Sequence, residues 1–216
     1  MKQYFLLDLD GTIADNGEGI LKSAQYALDA FGIHNQPEAK LRQFVGPPLD
    51  ESFRELYGFS QEQALEAVKK YRERYRVKGV YENKLYPGVA RLVKTLSQRG
   101  SVCLATSKPE VFARKILEMQ GILPDFQVVV GAELDGTRTN KAEVIQAVLE
   151  QLGAPPKSQA VMIGDRKHDI LGAKAVGLES IGVEYGFAPE GELQAAGADW
   201  IVPTVEALEK LCLSLC

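Results

Sequence analysis

The sequence predicts an α/β fold: a parallel sheet with helices on both faces, interrupted near its start by a helical insertion. Three observations carry that prediction. Short apolar, partly β-branched runs alternate with amphipathic stretches, and those stretches have readable ends. Between Asp15 and Asn83 the alternation stops and only helical spacing remains.

Tyr4–Leu9 is the first predicted strand, bounded by polar residues as a buried parallel strand should be. In the block that follows, Ile20, Ala24, Ala27, Leu28 and Phe31 keep helical spacing up to Gly32. Ser60 with Gln63 forms a capping box that opens a helix through Leu65, Val68, Tyr71 and Tyr75. Gly46-Pro47-Pro48 reads as a rigid loop inside the block, and Tyr81–Pro87 as the linker returning from it. Val89–Gln98 follows Pro87-Gly88 and stops at Gly100, while Glu110–Met119 has Pro109 at its start and Gly121 after its end. A further helix begins near Lys141, with Asn140 as N-cap and Glu143 three positions on, and closes at Gly153. Val102–Ala105, Phe126–Val130, Ala160–Ile163, Ser180–Val183 and Trp200–Val202 supply the other strands. Leu208, Leu211, Leu213 and Leu215 dock a final helix, with a dimer contact as the alternative. The expected division is a core of residues 1–14 and 84–216 and a helical cap of residues 15–83.

Composition narrows the function classes. With 216 residues, 45% hydrophobic and 25% charged, the chain fits neither disordered, collagenous nor membrane classes. Its 25 basic against 29 acidic residues give a net charge of −4, so no basic field favours a nucleic-acid polymer as partner. Cys103, Cys212 and Cys216 are odd in number and show no C-x-x-C spacing, which argues against a disulfide framework or a zinc site and fits a reducing compartment. The N-terminal apolar stretch is too short and too acidic for a signal peptide, and no run approaches the roughly 20 residues of a membrane span. A cytoplasmic protein without a membrane partner is expected; oligomeric state is not legible.

The unusual polar residues fall at the C-terminal ends of predicted strands, where open α/β sheets place ligands. Asp8 and Asp10 stand at i and i+2 of a strand, so both carboxylates are expected on one side. Asp165 ends another strand, with Asp169 one helical turn later. Oxygen ligands without Cys or paired His favour Mg²⁺ over zinc, and Mg²⁺ completes its shell with water and substrate phosphate. Thr106, Ser107 and Lys108 offer hydroxyls and N–H groups at an expected helix start, and Lys141 adds a cation in the first turn of its helix. Together they would hold a phosphoryl group, whose transfer needs positioning and electrostatic stabilisation. A carboxylate nucleophile makes covalent catalysis available.

Asp8-Leu-Asp-Gly-Thr12, Thr106, Lys141 and Gly164-Asp165-x-x-x-Asp169, in that order, resemble the four motifs of the haloacid dehalogenase superfamily. The helical insert falls where that superfamily places a C1 cap on its Rossmann-like core. Gly46-Pro-Pro-Leu49, Ala105-Thr-Ser-Lys-Pro109, Glu133-Leu-Asp-Gly-Thr-Arg138 and Gly164-Asp-Arg-Lys-His-Asp169 resemble the bacterial 5′-nucleotidase-like branch, close to phosphoglycolate phosphatases. The resemblance implies that Asp8 attacks phosphorus to form an aspartyl-phosphate, and that Asp10 protonates the leaving oxygen and then activates water. It implies that Asp8, the Asp10 carbonyl and Asp165 bind Mg²⁺, with Asp169 orienting the metal shell or Lys141. Thr106 would bind the phosphoryl group and Lys141 would offset its charge. An acid at Asp10 argues for a phosphatase and against dehalogenation.

Plainer readings stand beside these. Lys108 either binds substrate phosphate or lies near a helix start, and Arg42 with the Gly46 loop either reaches the site from the cap or forms a turn between cap helices. His168 and His34 read as surface residues, Arg138 as part of a polar loop, and the basic run from Lys69 to Lys78 as a solvated face. The reading is a Mg²⁺-dependent phosphomonoesterase for a small phosphorylated substrate, a nucleoside 5′-monophosphate first and 2-phosphoglycolate second. A sugar phosphomutase of the same fold and a phospho-accepting signalling module are the competing classes.

Overall fold

A computed structural model describes all 216 residues, Met1–Cys216. The chain divides into two compact units, one of Met1–Asp15 with Leu85–Cys216 and one of Asn16–Lys84. Each division falls one residue beyond the boundary expected from the sequence.

The elements run in chain order as β1 (Tyr4–Leu7), β2 (Ala14–Asp15), α1 (Gly17–Asp29), α2 (Glu38–Leu41), α3 (Leu49–Tyr57), α4 (Gln61–Tyr75) and β3 (Lys84–Leu85). They continue as α5 (Val89–Ser97), β4 (Ser101–Pro109), α6 (Glu110–Met119), β5 (Val128–Ala132), α7 (Lys141–Gln151) and β6 (Ala160–Gly164). The chain closes with α8 (Lys167–Val176), β7 (Glu179–Val183), α9 (Glu192–Ala196), β8 (Trp200–Val202) and α10 (Val205–Leu215).

Six strands form one parallel sheet in the order β5-β4-β1-β6-β7-β8. Leu7 of β1 sits level with Leu104 of β4 and Ile163 of β6, so β1 ends where β4 still has five residues to run. The order reverses at β1: β4 and β5 lie on one side of it and β6, β7 and β8 on the other. Such a reversal opens a crevice at the carboxyl ends of the strands beside it, which is where a ligand enters an open α/β sheet. Alternation along the strands fills two faces. Leu6, Cys103, Ala105 and Met162 pack with Val144, Ile145 and Val148 of α7 and Ala173 of α8 in one buried cluster, while Phe5 and Leu7 project to the other face.

Several strand limits depart from the sequence reading, and three of them have a local backbone cause. β1 stops at Leu7 rather than Leu9, since the Leu9 carbonyl accepts from the N–H groups of Thr12, Ile13 and Ala14 in a turn that Gly11 enters at φ +86°. β5 begins at Val128 because the Phe126 N–H closes a 3₁₀ turn on Leu123. β4 runs past Ala105 to Pro109, with a register shift against β5 between those residues. Proline disfavours the helical region for the residue before it, so Lys108 stays extended and α6 starts only at Glu110. Thr106, Ser107 and Lys108 therefore lie on a strand and not at a helix N-terminus.

In the other unit, α4 opens with the capping box expected of Ser60 and Gln63, both halves of it formed. α4 packs on α1 and α3. Gly19 of α1 lies against the backbone of Gly79, whose carbonyl occupies the space a Cβ on residue 19 would take. On α10, Leu208 and Cys212 are buried while Leu213 is exposed, so the C-terminal leucines do not share one face.

Gly19→Ala is expected to lower stability by about 1–3 kcal/mol through overpacking. The sign is diagnostic, because in an open helix interior the same change stabilises by roughly 0.5–1 kcal/mol. A fall in the urea unfolding midpoint would confirm it.

Candidate active site

The crevice beside β1 collects residues from four strand ends and two helix starts. Asp8 follows β1 directly, and its N–H continues the parallel ladder by donating to the Ile163 carbonyl at 2.9 Å. Its Oδ1 accepts from Lys141 Nζ at 2.6 Å. Lys141 is the first residue of α7, held there because the Asn140 side chain accepts from the Ala142 N–H. The same amine donates to the Ala105 carbonyl at 2.9 Å and lies 2.8 Å from Asp169 Oδ1. That last contact is an ion pair rather than a well-directed hydrogen bond. Gly172 of α8 gives the lysine stem its room, since a Cβ there would stand 2.8 Å from Lys141 Cγ.

Asp165 follows β6 and is fully buried; its Oδ2 accepts from the Phe187 N–H at 2.8 Å, and its Oδ1 has no hydrogen-bond partner. Asp169 lies in the first turn of α8, where its Oδ2 accepts from the Arg166 N–H at 3.1 Å. Ligand oxygens of Asp8, Asp165 and Asp169 lie within 4.8 Å of one another. Three buried carboxylates against one lysine leave two negative charges in excess. Burial, then the charges of Asp169 and Asp8, pushes Asp165 well above the usual carboxylate range. Burial and Asp8 raise Asp169 to about 6 against the pull of Lys141. Burial opposes the charge on Lys141, but Asp169 and Asp8 more than offset it and raise its affinity for the proton. An acidic oxygen set, an excess of negative charge and an orphaned buried oxygen all fit a hard divalent cation, which Asp8, Asp165 and Asp169 could hold.

Asp10 behaves differently. The carboxylates that lie within 4.8 Å of one another are those of Asp8, Asp165 and Asp169. The strand ends before Asp8, and the Asp10 carboxylate instead accepts from Lys108 Nζ at 2.7 Å, both side chains being buried. Thr106 is buried beside them, its Oγ1 accepting from the Lys108 N–H at 3.2 Å, and Ser107 is half-buried.

Arg42 is exposed and grips Glu38 from one turn away, and Gly46 occupies a left-handed turn at φ +107° in the same helical unit. Arg138 donates to the Gly131 carbonyl and pairs with Glu133, so it braces its own loop. His168 is half-buried, and burial followed by Arg166 and Lys167 lowers its proton affinity. His34 pairs with Asp29. In the basic run, Lys69 meets Glu66 and Lys70 meets Glu73 at the surface, whereas Arg74 and Glu82 form a half-buried pair. Nothing in the amino-acid order hints at the Phe187 N–H, which is a backbone donor, or at Gly172, whose role is visible only through what passes it.

Residues 5–183 match the family described as haloacid dehalogenase-like hydrolase. The chain is 48% identical over 191 residues to a protein of Pseudomonas aeruginosa named 5′-nucleotidase, covering 88% of this chain and 86% of that one. It is 40% identical over 187 residues to a protein of Mycobacterium tuberculosis named tyrosine-protein kinase PtkA, 63% of whose length the match spans. A crystal structure of a predicted phosphatase from Clostridium acetobutylicum superposes with a TM-score of 0.96 at 43% identity, covering 99% of both chains.

Two outcomes test the charge balance. Without metal, Asp165→Asn is expected to raise the melting temperature, because it removes one of three like charges while an amide oxygen still accepts from Phe187, and to abolish stabilisation by added Mg²⁺. Asp169 titrates near 3.8 when unfolded and about 6 when folded, so between those values the folded state binds more protons. Stability of the metal-free protein should therefore fall as pH rises through that window, while the stabilisation Mg²⁺ confers grows. Thermal melts across the window, with and without Mg²⁺, check both signs.

Proposed function

The chain belongs to the haloacid dehalogenase-like hydrolase family and is a phosphoric monoester hydrolase, and we propose that it hydrolyses a nucleoside 5′-monophosphate, with Mg²⁺, through an aspartyl-phosphate. The observation that carries this reading is that the two acids at the end of β1 have different partners. Asp8 lies in the carboxylate cluster with Lys141, and Asp10 pairs with Lys108.

In the proposed sequence an Asp8 oxygen attacks phosphorus as the bond from phosphorus to the ester oxygen breaks, and Asp10 delivers a proton to the departing oxygen. Asp10, now ionised, takes a proton from a water whose oxygen attacks the phosphorus; the Asp8–phosphorus bond breaks and inorganic phosphate leaves. Lys141 compensates charge on Asp8 and on the phosphoryl group, and the Thr106 hydroxyl donates to a phosphoryl oxygen. Mg²⁺ bound to Asp8, Asp165 and the Asp10 carbonyl, with Asp169 orienting the shell, would neutralise the excess negative charge and polarise the phosphoryl group. Ser107 stands beside Thr106 for a phosphate oxygen, and the helical unit of residues 16–84 is proposed as the cap, with Arg42 and Gly46 as its contribution to substrate selection.

The nucleotide is preferred over 2-phosphoglycolate because similarity to the protein named 5′-nucleotidase is 48%, against 28% to a Vibrio parahaemolyticus protein named phosphoglycolate phosphatase. No helix is long and apolar enough to cross a membrane.

Phosphate release from nucleoside 5′-monophosphates, 2-phosphoglycolate and sugar phosphates, with and without Mg²⁺, tests the proposal. Nucleotides should rank first, Asp8→Asn should abolish turnover, and Asp10→Asn should slow it by about 10²–10⁴-fold. Fastest release from 2-phosphoglycolate would overturn the substrate, and unchanged rates in Asp8→Asn the covalent route.

A further inference from the structure

Asp165 is held by more than its own strand. Beyond β7 the chain runs Tyr185-Gly186-Phe187, and each residue of this segment touches the site. The Phe187 N–H donates to Asp165 Oδ2 at 2.8 Å. Gly186 lies so close that a Cβ on it would stand 2.5 Å from both Asp165 Oδ2 and the Gly11 carbonyl. The Tyr185 hydroxyl donates to the Thr12 carbonyl at 3.0 Å, and its ring meets Tyr86 edge-on at 5.0 Å. Gly11, at φ +86°, lies as close to the same carboxylate, where a Cβ would overlap it. Two glycines thus lie against Asp165, with Oδ2 accepting from Phe187 and Oδ1 buried without a hydrogen-bond partner.

From this geometry we propose that the segment Tyr185-Gly186-Phe187 is a positioning element of the metal site, which fixes Asp165 so that Oδ1 alone is presented to the cation. The inference rests on the Mg²⁺ reading above and adds to it a part of the chain that none of the four motifs contains. The physical reason is pre-organisation. A carboxylate free to rotate must be ordered when the ion binds, whereas one already pinned by a backbone donor and by the close approach of two glycine backbones has lost that freedom during folding. Tyr185 anchors the grip, because its hydroxyl ties the segment to the turn that carries Gly11.

Calorimetric titration of the metal-stripped full chain with Mg²⁺ alone tests this without reference to turnover. Gly186→Ala is expected to raise the dissociation constant by about 10–100-fold, the usual effect of losing a partner that orients a ligand. Tyr185→Phe, which removes only the anchoring hydroxyl, is expected to raise it by a smaller factor. Melting of each variant in chelator reports whether the fold is kept. If Gly186→Ala does not fold, Tyr185→Phe decides. A lowered metal-free melting temperature with wild-type Mg²⁺ affinity overturns the proposal, since the segment is then structural only. Asp165→Asn separates the two levels. If it binds Mg²⁺ as the wild type does, the metal reading itself falls and the inference with it. If it fails to bind while both segment variants bind normally, only the inference is overturned.

Discussion

The arrangement depends on one buried ammonium. Lys141 Nζ meets a carboxylate from the end of β1, a carbonyl from β4 and a carboxylate from the first turn of α8, so three separate elements are tied through a single atom. Removing one partner of a buried ion pair typically costs about 3–5 kcal/mol, because the other charge is left uncompensated. Here the imbalance is greater still, since a third carboxylate, Asp165, already lies in the cluster without a cation of its own. Part of the compensation comes from backbone: the Phe187 N–H, in the loop after β7, donates to Asp165 Oδ2, and the Arg166 N–H at the start of α8 donates to Asp169 Oδ2.

Much of this was legible in the amino-acid order, for identifiable reasons. Parallel strands buried on both faces read as short apolar runs, and Trp200–Val202 and Glu110–Met119 fall where the pattern placed them. Asn140 and the Ser60–Gln63 box announced their helices through side-chain chemistry that acts within four residues. The strand ends were less legible, because they are decided by hydrogen bonds that compete with the ladder, as when the turn after Leu9 takes its carbonyl or Pro109 keeps Lys108 extended. Period-two reasoning reaches Asp8 and Asp10 only while the strand continues, and here it stops one residue before the first of the two acids.

Close backbone approach was illegible altogether. Gly11, Gly164, Gly172 and Gly186 each leave room for a carboxylate or lysine stem of the site. In the sequence each could equally be a turn residue or a helix interruption, since a glycine's neighbour in space is not written beside it. The same holds for the Lys108–Asp10 pair, whose members are 98 positions apart and meet only because β4 lies next to β1 and outruns it.

That pairing explains how two acids separated by one residue can take different roles. Carboxylates so close would ordinarily share an environment and compete for one cation. Here each receives its own lysine, Asp8 from α7 and Asp10 from the extended end of β4. The two lysines come from different elements, so each carboxylate has a cationic partner of its own. Because β4 reaches Asp10 only through its extra length, the register shift beyond Ala105 and the proline that ends the strand become part of the site's chemistry. A β4 that ended level with β1 would leave Asp10 without this partner and nearer in character to the other three acids.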